Sequence, residues 1–146
     1  MHFYTITYTK NNKWRKLDGL FHLGSDLSVV LKDETGLNYG FKLVPGFVTD
    51  GGSVPVAFRW FVPCWSRSNS LVNIAYALHD ALYASELLPR AVADDILRGM
   101  LRDAGFSRLR ASTVCFCVNQ FAAKHYGRQF DRYGVAKFLK MRIWKE

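Results

Sequence analysis

The apolar pattern of this chain changes period once, and that change constrains its fold more than any other feature. Up to about Val44 hydrophobic residues tend to alternate with polar ones, whereas from Leu71 onward they recur every three or four positions. A period of two belongs to half-buried strands and a period near 3.6 to helices with one apolar face. Sheet therefore comes first and helix second. This order predicts an α+β fold, with an N-terminal antiparallel β-meander followed by a bundle of about three helices.

Residues 2 to 9 alternate and are rich in β-branched and aromatic side chains, which suits a strand. Asn11-Asn12-Lys13 reads as a turn. Leu17 to Leu23, Leu27 to Lys32 and Leu37 to Val44 follow, separated by Gly24-Ser25-Asp26 and by Asp33-Glu34-Thr35-Gly36. These runs predict three or four strands joined by short turns. His22 lies within one of them, where a lone histidine is more often a surface or packed residue than a ligand. The 146 residues, 49% of them hydrophobic, supply enough apolar surface for one core. The expected organisation is a single domain over 1–146: β-meander 1–45, Gly/Pro loop region 46–65, helical part 66–127 and basic tail 128–146.

The helical part has local start and stop signals. Ser66-Arg67-Ser68-Asn69-Ser70 offers N-caps for a helix over Leu71 to Ala84. Leu71, Ile74, Ala75, Leu78 and Leu82 form its core stripe, and Val72, Tyr76, His79 and Tyr83 form a second stripe at the margin of the buried face. Pro89 opens the next helix and Gly105 closes it. On that helix Asp95 aligns with Arg98 and Arg102 as a solvated ion pair. Asp94 instead shares the face of Leu97 and Leu101, where a carboxylate is costly to bury without a partner. Ser107 caps a third helix over about Leu109 to Tyr126, and the tail beyond it forms a short helix or folds back as a strand.

Cys64, Cys115 and Cys117 are odd in number, and the C-x-C pair sits in an apolar run, so the cysteines read as core residues rather than disulfides, nucleophiles or zinc ligands. The net charge of +8 concentrates near the C-terminus, where seven Lys or Arg between 124 and 146 face only Asp131 and Glu146. Such a tail meets nucleic acid, an anionic membrane or an acidic partner by the same long-range attraction, or simply keeps the surface solvated. Met1-His2-Phe3-Tyr4-Thr5 lacks the basic and apolar pattern of a secretory signal and no apolar run reaches about 18 residues, so the expectation is a chain with neither signal peptide nor membrane span.

The chemistry-bearing residues cluster between Thr49 and Asp94. A neutral imidazole can take a proton from water while a carboxylate on its other nitrogen fixes the tautomer, and His79 with Asp94 is the pair that fits. Tyr83, on the stripe of His79, joins them as a catalytic candidate. Asp80 points about 100° away around the helix, where Asp80 and Asp50 could hold a divalent metal ion with oxygens of the loop Thr49-Asp50-Gly51-Gly52-Ser53. The same residues also admit a purely structural reading, in which Asp94 ties the two helices together, Arg90 neutralises it, and the Gly-Gly segment is an ordinary turn.

Gly46-Phe47-Val48-Thr49-Asp50-Gly51-Gly52-Ser53-Val54-Pro55, His79-Asp80-Ala81-Leu82-Tyr83, Arg90 and Ala93-Asp94 together resemble a family of phage and prophage proteins, domain of unknown function 1353. The resemblance marks Thr49, Asp50, Ser53, Pro55, His79, Asp80, Tyr83, Arg90 and Asp94, and implies a location in the bacterial host cytoplasm or the phage virion. A shorter stretch, His79 to Tyr83 followed by Ala93-Asp94, is similar to the H-D-x-x-Y helix of secreted and viral-capsid phospholipases A2. That likeness implies His79 as base, Asp94 as its orienter, Asp80 as a calcium ligand and the backbone near Gly51 and Gly52 as the rest of the calcium site. Two functions follow as expectations: a metal-dependent hydrolase of phospholipid or phosphoester substrates, or a non-enzymatic virion or host-interaction protein in which the His/Asp cluster is structural.

Overall fold

The computed structural model describes residues 1–49, 65–66, 68–121 and 136–145. The elements run β1 (Phe3–Tyr8), β2 (Trp14–Leu17), β3 (Leu20–Leu23), β4 (Leu27–Asp33), β5 (Leu37–Leu43), β6 (Val48–Thr49), α1 (Ser70–Ser85), α2 (Arg90–Asp103), α3 (Arg108–Phe121), a 3-10 turn (Ala136–Phe138) and β7 (Leu139–Lys145). The α+β order expected from the change of period is present, and all the strand pairs are antiparallel. The strands divide between two sheets, a four-stranded one in the order β1-β4-β5-β7 and a three-stranded one in the order β2-β3-β6.

One expected strand is in fact a hairpin. The run Leu17 to Leu23 is broken at Asp18 (φ 54°) and Gly19 (φ 77°), whose successive left-handed conformations make a two-residue turn and pair Leu17 with Leu20. That hairpin leaves the main sheet, so β1 pairs with β4 across it. Of the two forms open to the tail, residues 136–145 take both: a 3-10 turn, then a strand on the free edge of β5.

The alternation in β4 and β5 sends Leu27, Val29, Leu31, Tyr39, Phe41 and Leu43 inward, where they join Leu71, Ile74, Leu78, Leu82, Ile96, Leu97 and Met100 in one core. α2 is amphipathic, burying Ala93, Ile96, Leu97, Gly99, Met100 and Leu101 and exposing Arg98 and Arg102. α1 is different. Twelve of its sixteen residues are buried, including both expected stripes, so His79 lies inside rather than at a margin. Its N-cap residue, Asn69, makes no side-chain cap; its amide donates to Ala104 O (2.8 Å) at the end of α2. No described helix is long and apolar enough to cross a membrane.

β1 is fastened to α2 at two points. At Gly99 the helix approaches so closely that a Cβ would lie 2.5 Å from Phe3 O. Nearby, the register of β1 slips between Thr5 and Thr7, and the Thr5 N–H donates to Asp103 Oδ2 (2.6 Å). The same end of the sheet is fixed by Asp33, the register partner of Phe3, whose Oδ1 accepts from Thr35 N, Thr35 Oγ1 and Leu37 N while Oδ2 accepts from Tyr39 Oη. Burial works against the Asp33 charge, but these hydrogen bonds outweigh it and hold the carboxyl below the ordinary aspartate value.

Two measurements follow. Gly99→Ala should lower stability in urea titration by about 1–2 kcal/mol, because overpacking against strand backbone exceeds the helix-propensity gain of alanine. Asp33→Asn should cost about 2 kcal/mol at neutral pH. The native carboxyl titrates below its unfolded value of 3.8, so the unfolded chain takes up the proton first. The stability from the charge is thus complete above that value and is lost as pH falls through the folded one, and the gap between wild type and Asp33→Asn should narrow in acid.

Candidate functional site

His79 and Tyr83 are four residues apart on α1 and so stand one above the other, with ring centroids 4.1 Å apart. Both reach across to Asp94 near the start of α2. His79 Nε2 lies 2.8 Å from Asp94 Oδ1, and Tyr83 Oη donates to the same oxygen at 2.6 Å. Asp94, on the apolar face of its helix, thereby receives the partners that its position demands. Tyr83 is wholly buried, His79 is 6% exposed and the Asp94 side chain is 14% exposed.

The protonation pattern follows from the donors. An ionised Asp94 can only accept, so Nε2 carries the proton, and in a neutral imidazole this leaves Nδ1 with a free lone pair. Among the described residues no hydrogen bond falls on Nδ1. Burial, and then the bond to Asp94, push the Tyr83 phenol far above its usual value, so it remains a donor. α3 closes the group from a third side, where Cys115 Sγ approaches the Asp94 carbonyl at 3.8 Å. Burial raises that thiol to about 11, with the Asp94 charge adding and Arg98 opposing, and keeps it out of thiolate chemistry near neutral pH. Cys115 and Cys117 are unpaired thiols, both buried. The contact of Cys115 with Asp94 has no counterpart in the sequence pattern, since it depends on how α3 lies across α2.

Asp80, one step around α1, faces a different element. Its Oδ2 accepts a hydrogen bond from Thr49 Oγ1. Thr49 is the last residue of β6, held in place by pairing with Phe21 of β3, and it is buried. The small sheet thus delivers the start of the Gly-rich segment to the residue beside His79. Asp50, Gly51, Gly52, Ser53 and Pro55 lie outside the described residues. Arg90, the first residue of α2, is half-buried and its charge bears on Tyr83, but no ion pair joins it to Asp94 among the described residues. Asp95 pairs with Arg98 at 3.2 Å on the outer side of α2.

Among the described residues no three His, Cys, Asp or Glu side chains converge as a metal cluster. The other metal ligand expected from the sequence, Asp50, lies outside the described residues. The donor chemistry fits a hard cation, since Asp80 is a carboxylate joined to a hydroxyl and Asp50 is next in sequence to Thr49.

A family model described as Protein of unknown function (DUF1353) matches residues 21–118, about two-thirds of the chain. The chain belongs to this family. The DUF1353 match begins in β3 and ends in α3, so Thr49, His79, Asp80, Tyr83 and Asp94 all fall within it, while β1, β2 and β7 do not. No curated protein and no solved structure matches the chain, so the likeness to phospholipases A2 rests on its short motif alone.

If Asp94 binds its two donors as a charge, Tyr83→Phe should lower stability by about 2 kcal/mol in urea titration. A double-mutant cycle with Asp94→Asn should return a coupling of about 1–2 kcal/mol, against a value near zero for Tyr83 with Asp95, whose carboxylate pairs with Arg98 instead.

Proposed function

We propose that this protein is a phage-derived, metal-dependent hydrolase that uses His79 as its general base. The observation that carries the reading is the bond from His79 Nε2 to Asp94, because it orients the ring and leaves Nδ1 as the basic nitrogen. In this mechanism Nδ1 takes a proton from water as the water attacks an ester carbonyl or phosphoester phosphorus. Asp94 offsets the charge of the imidazolium that forms, and Tyr83 holds Asp94 in position without losing its own proton. The imidazolium then returns the proton to the leaving oxygen. Asp80 and Asp50 would hold a divalent ion, which supplies Lewis-acid polarisation of the substrate oxygen when bound. A phospholipid or other phosphoester suits this set, the former by the resemblance of the His79 to Tyr83 motif to phospholipases A2.

One observation favours a second reading. His79 and Tyr83 are buried and both bond to Asp94, as expected of a clamp between helices in a non-enzymatic virion or host-interaction protein.

The deciding experiment measures hydrolysis of phospholipid vesicles and of an activated phosphodiester, with calcium, magnesium, manganese or zinc added in turn and metal uptake followed by calorimetry. Turnover should fall about 10²–10⁴-fold in a folded His79→Ala protein, and metal uptake should disappear in Asp80→Ala. A wild-type protein that binds none of the four metals and turns over neither substrate supports the clamp instead.

A further inference from the structure

The outer face of the four-stranded sheet is chemically unlike the rest of the molecule. The register of β4, β5 and β7 sets three rows across it: Ser28, Lys42 and Lys140; Val30, Gly40 and Arg142; Lys32, Asn38 and Trp144. Lys42, Lys140 and Arg142 are exposed, and with Trp144 they line a shallow groove of about 290 Å³. None of these nine positions carries a carboxylate; Asp26 reaches Lys42 from outside the rows at 3.4 Å. Lys42 stands directly opposite Lys140, an arrangement that costs sheet stability. Cations near a sheet edge discourage strand-to-strand association, but the facing Lys42 and Lys140 repel each other, and an anionic ligand would relieve that repulsion.

The aromatic residues identify the kind of anion. The six-membered ring of Trp144 lies over Gly40, so close that a Cβ there would be 2.9 Å from Cζ3, and the Arg142 guanidinium sits 5.1 Å from the ring centre. Tyr4, opposite Lys32 on β1, adds a second ring and is about half exposed. Trp144 is laid against the sheet instead of projecting, which suits a partner that comes to the ring and stacks there, not a bilayer that rings must enter. Rings on an open sheet are accessible to unpaired bases, whereas a duplex keeps its bases stacked inside and is read by elements that enter a groove.

We propose that this face binds single-stranded nucleic acid, with Lys42, Lys140 and Arg142 on the phosphates and Trp144 as a stacking surface. The proposal is independent of the hydrolase reading, since none of these residues touches His79, Asp80 or Asp94.

The test is fluorescence anisotropy of a labelled oligothymidylate of about 12 nucleotides, within the usual footprint of such sites, titrated with the full chain between about 50 and 200 mM salt. Saturable binding that weakens with salt is expected. Replacing Lys42, Lys140 and Arg142 together by Gln should weaken it at least tenfold and flatten the log–log salt slope by about 2. These side chains are exposed and two of them repel, so that variant should melt no lower than wild type. Trp144→Leu should weaken binding about fivefold or more with the salt slope unchanged. Absence of saturable binding by the folded wild type overturns the proposal, as does equal binding by the triple variant or by a folded Trp144→Leu protein. Capture by phosphatidylserine vesicles that depends on the three cations, with the oligonucleotide ignored, assigns the face to a membrane and overturns it equally.

Discussion

A helix buried on nearly every side must find an internal partner for each polar group it carries, and α1 is such a helix. An unsatisfied buried group costs about 1–3 kcal/mol, so the polar residues of α1 dictate which elements may surround it. Asn73 exchanges hydrogen bonds with the backbone of Ser66, His79 and Tyr83 take Asp94 from α2, and Asp80 takes Thr49 from β6. These partners come from three separate parts of the chain. Apolar packing would tolerate some rotation of α1 about its axis, but these bonds do not. The arrangement that makes the residues of α1 a candidate site is therefore also what sets the helix in register with its neighbours.

The two regions with chemical character lie apart and have different relations to the family. The cluster around His79 falls within the stretch matched by DUF1353, whereas Lys140, Arg142 and Trp144 do not. The cluster is buried and depends on directed bonds, which salt screens little. The sheet face is exposed, depends on net charge, and is governed by screening. The two regions share the core, since Leu139 of β7 packs in the same cluster as Leu78 and Leu82 of α1.

What could be read from the sequence was what local chemistry controls. Pro89 and Gly105 bracket α2 because proline fixes its own φ and glycine admits the positive φ of 103° found there, and Asp94 could be distinguished from Asp95 because helical spacing places them on different faces. Ser107 does cap α3, accepting from Arg110 N. The features that were not legible depend on distant residues. The turn at Asp18-Gly19 is the exception, since Asp-Gly between apolar residues is itself a local signal for a two-residue hairpin and divides the run Leu17 to Leu23. The pairing of β1 with β4 and of β7 with β5 has no local signal. Asn69, placed among cap residues, gives its amide to Ala104 O at the end of α2, a bond set by how the two helices pack. The Thr49 bond to Asp80 likewise follows from the small sheet, which no periodicity in α1 could reveal.

The pairing of β7 with β5 has a consequence for how the protein is made. β5 leaves the ribosome about a hundred residues before the strand that covers its edge, some five to twenty seconds at ordinary rates of synthesis. Throughout that interval Leu37 to Leu43 presents open backbone donors and acceptors to any other nascent strand, the situation that folded proteins avoid at sheet edges. Gly40 in the middle and Lys42 near the end of that strand make the waiting edge a poor template for self-association. The residue that later receives the ring of Trp144 thus protects the unfinished chain first.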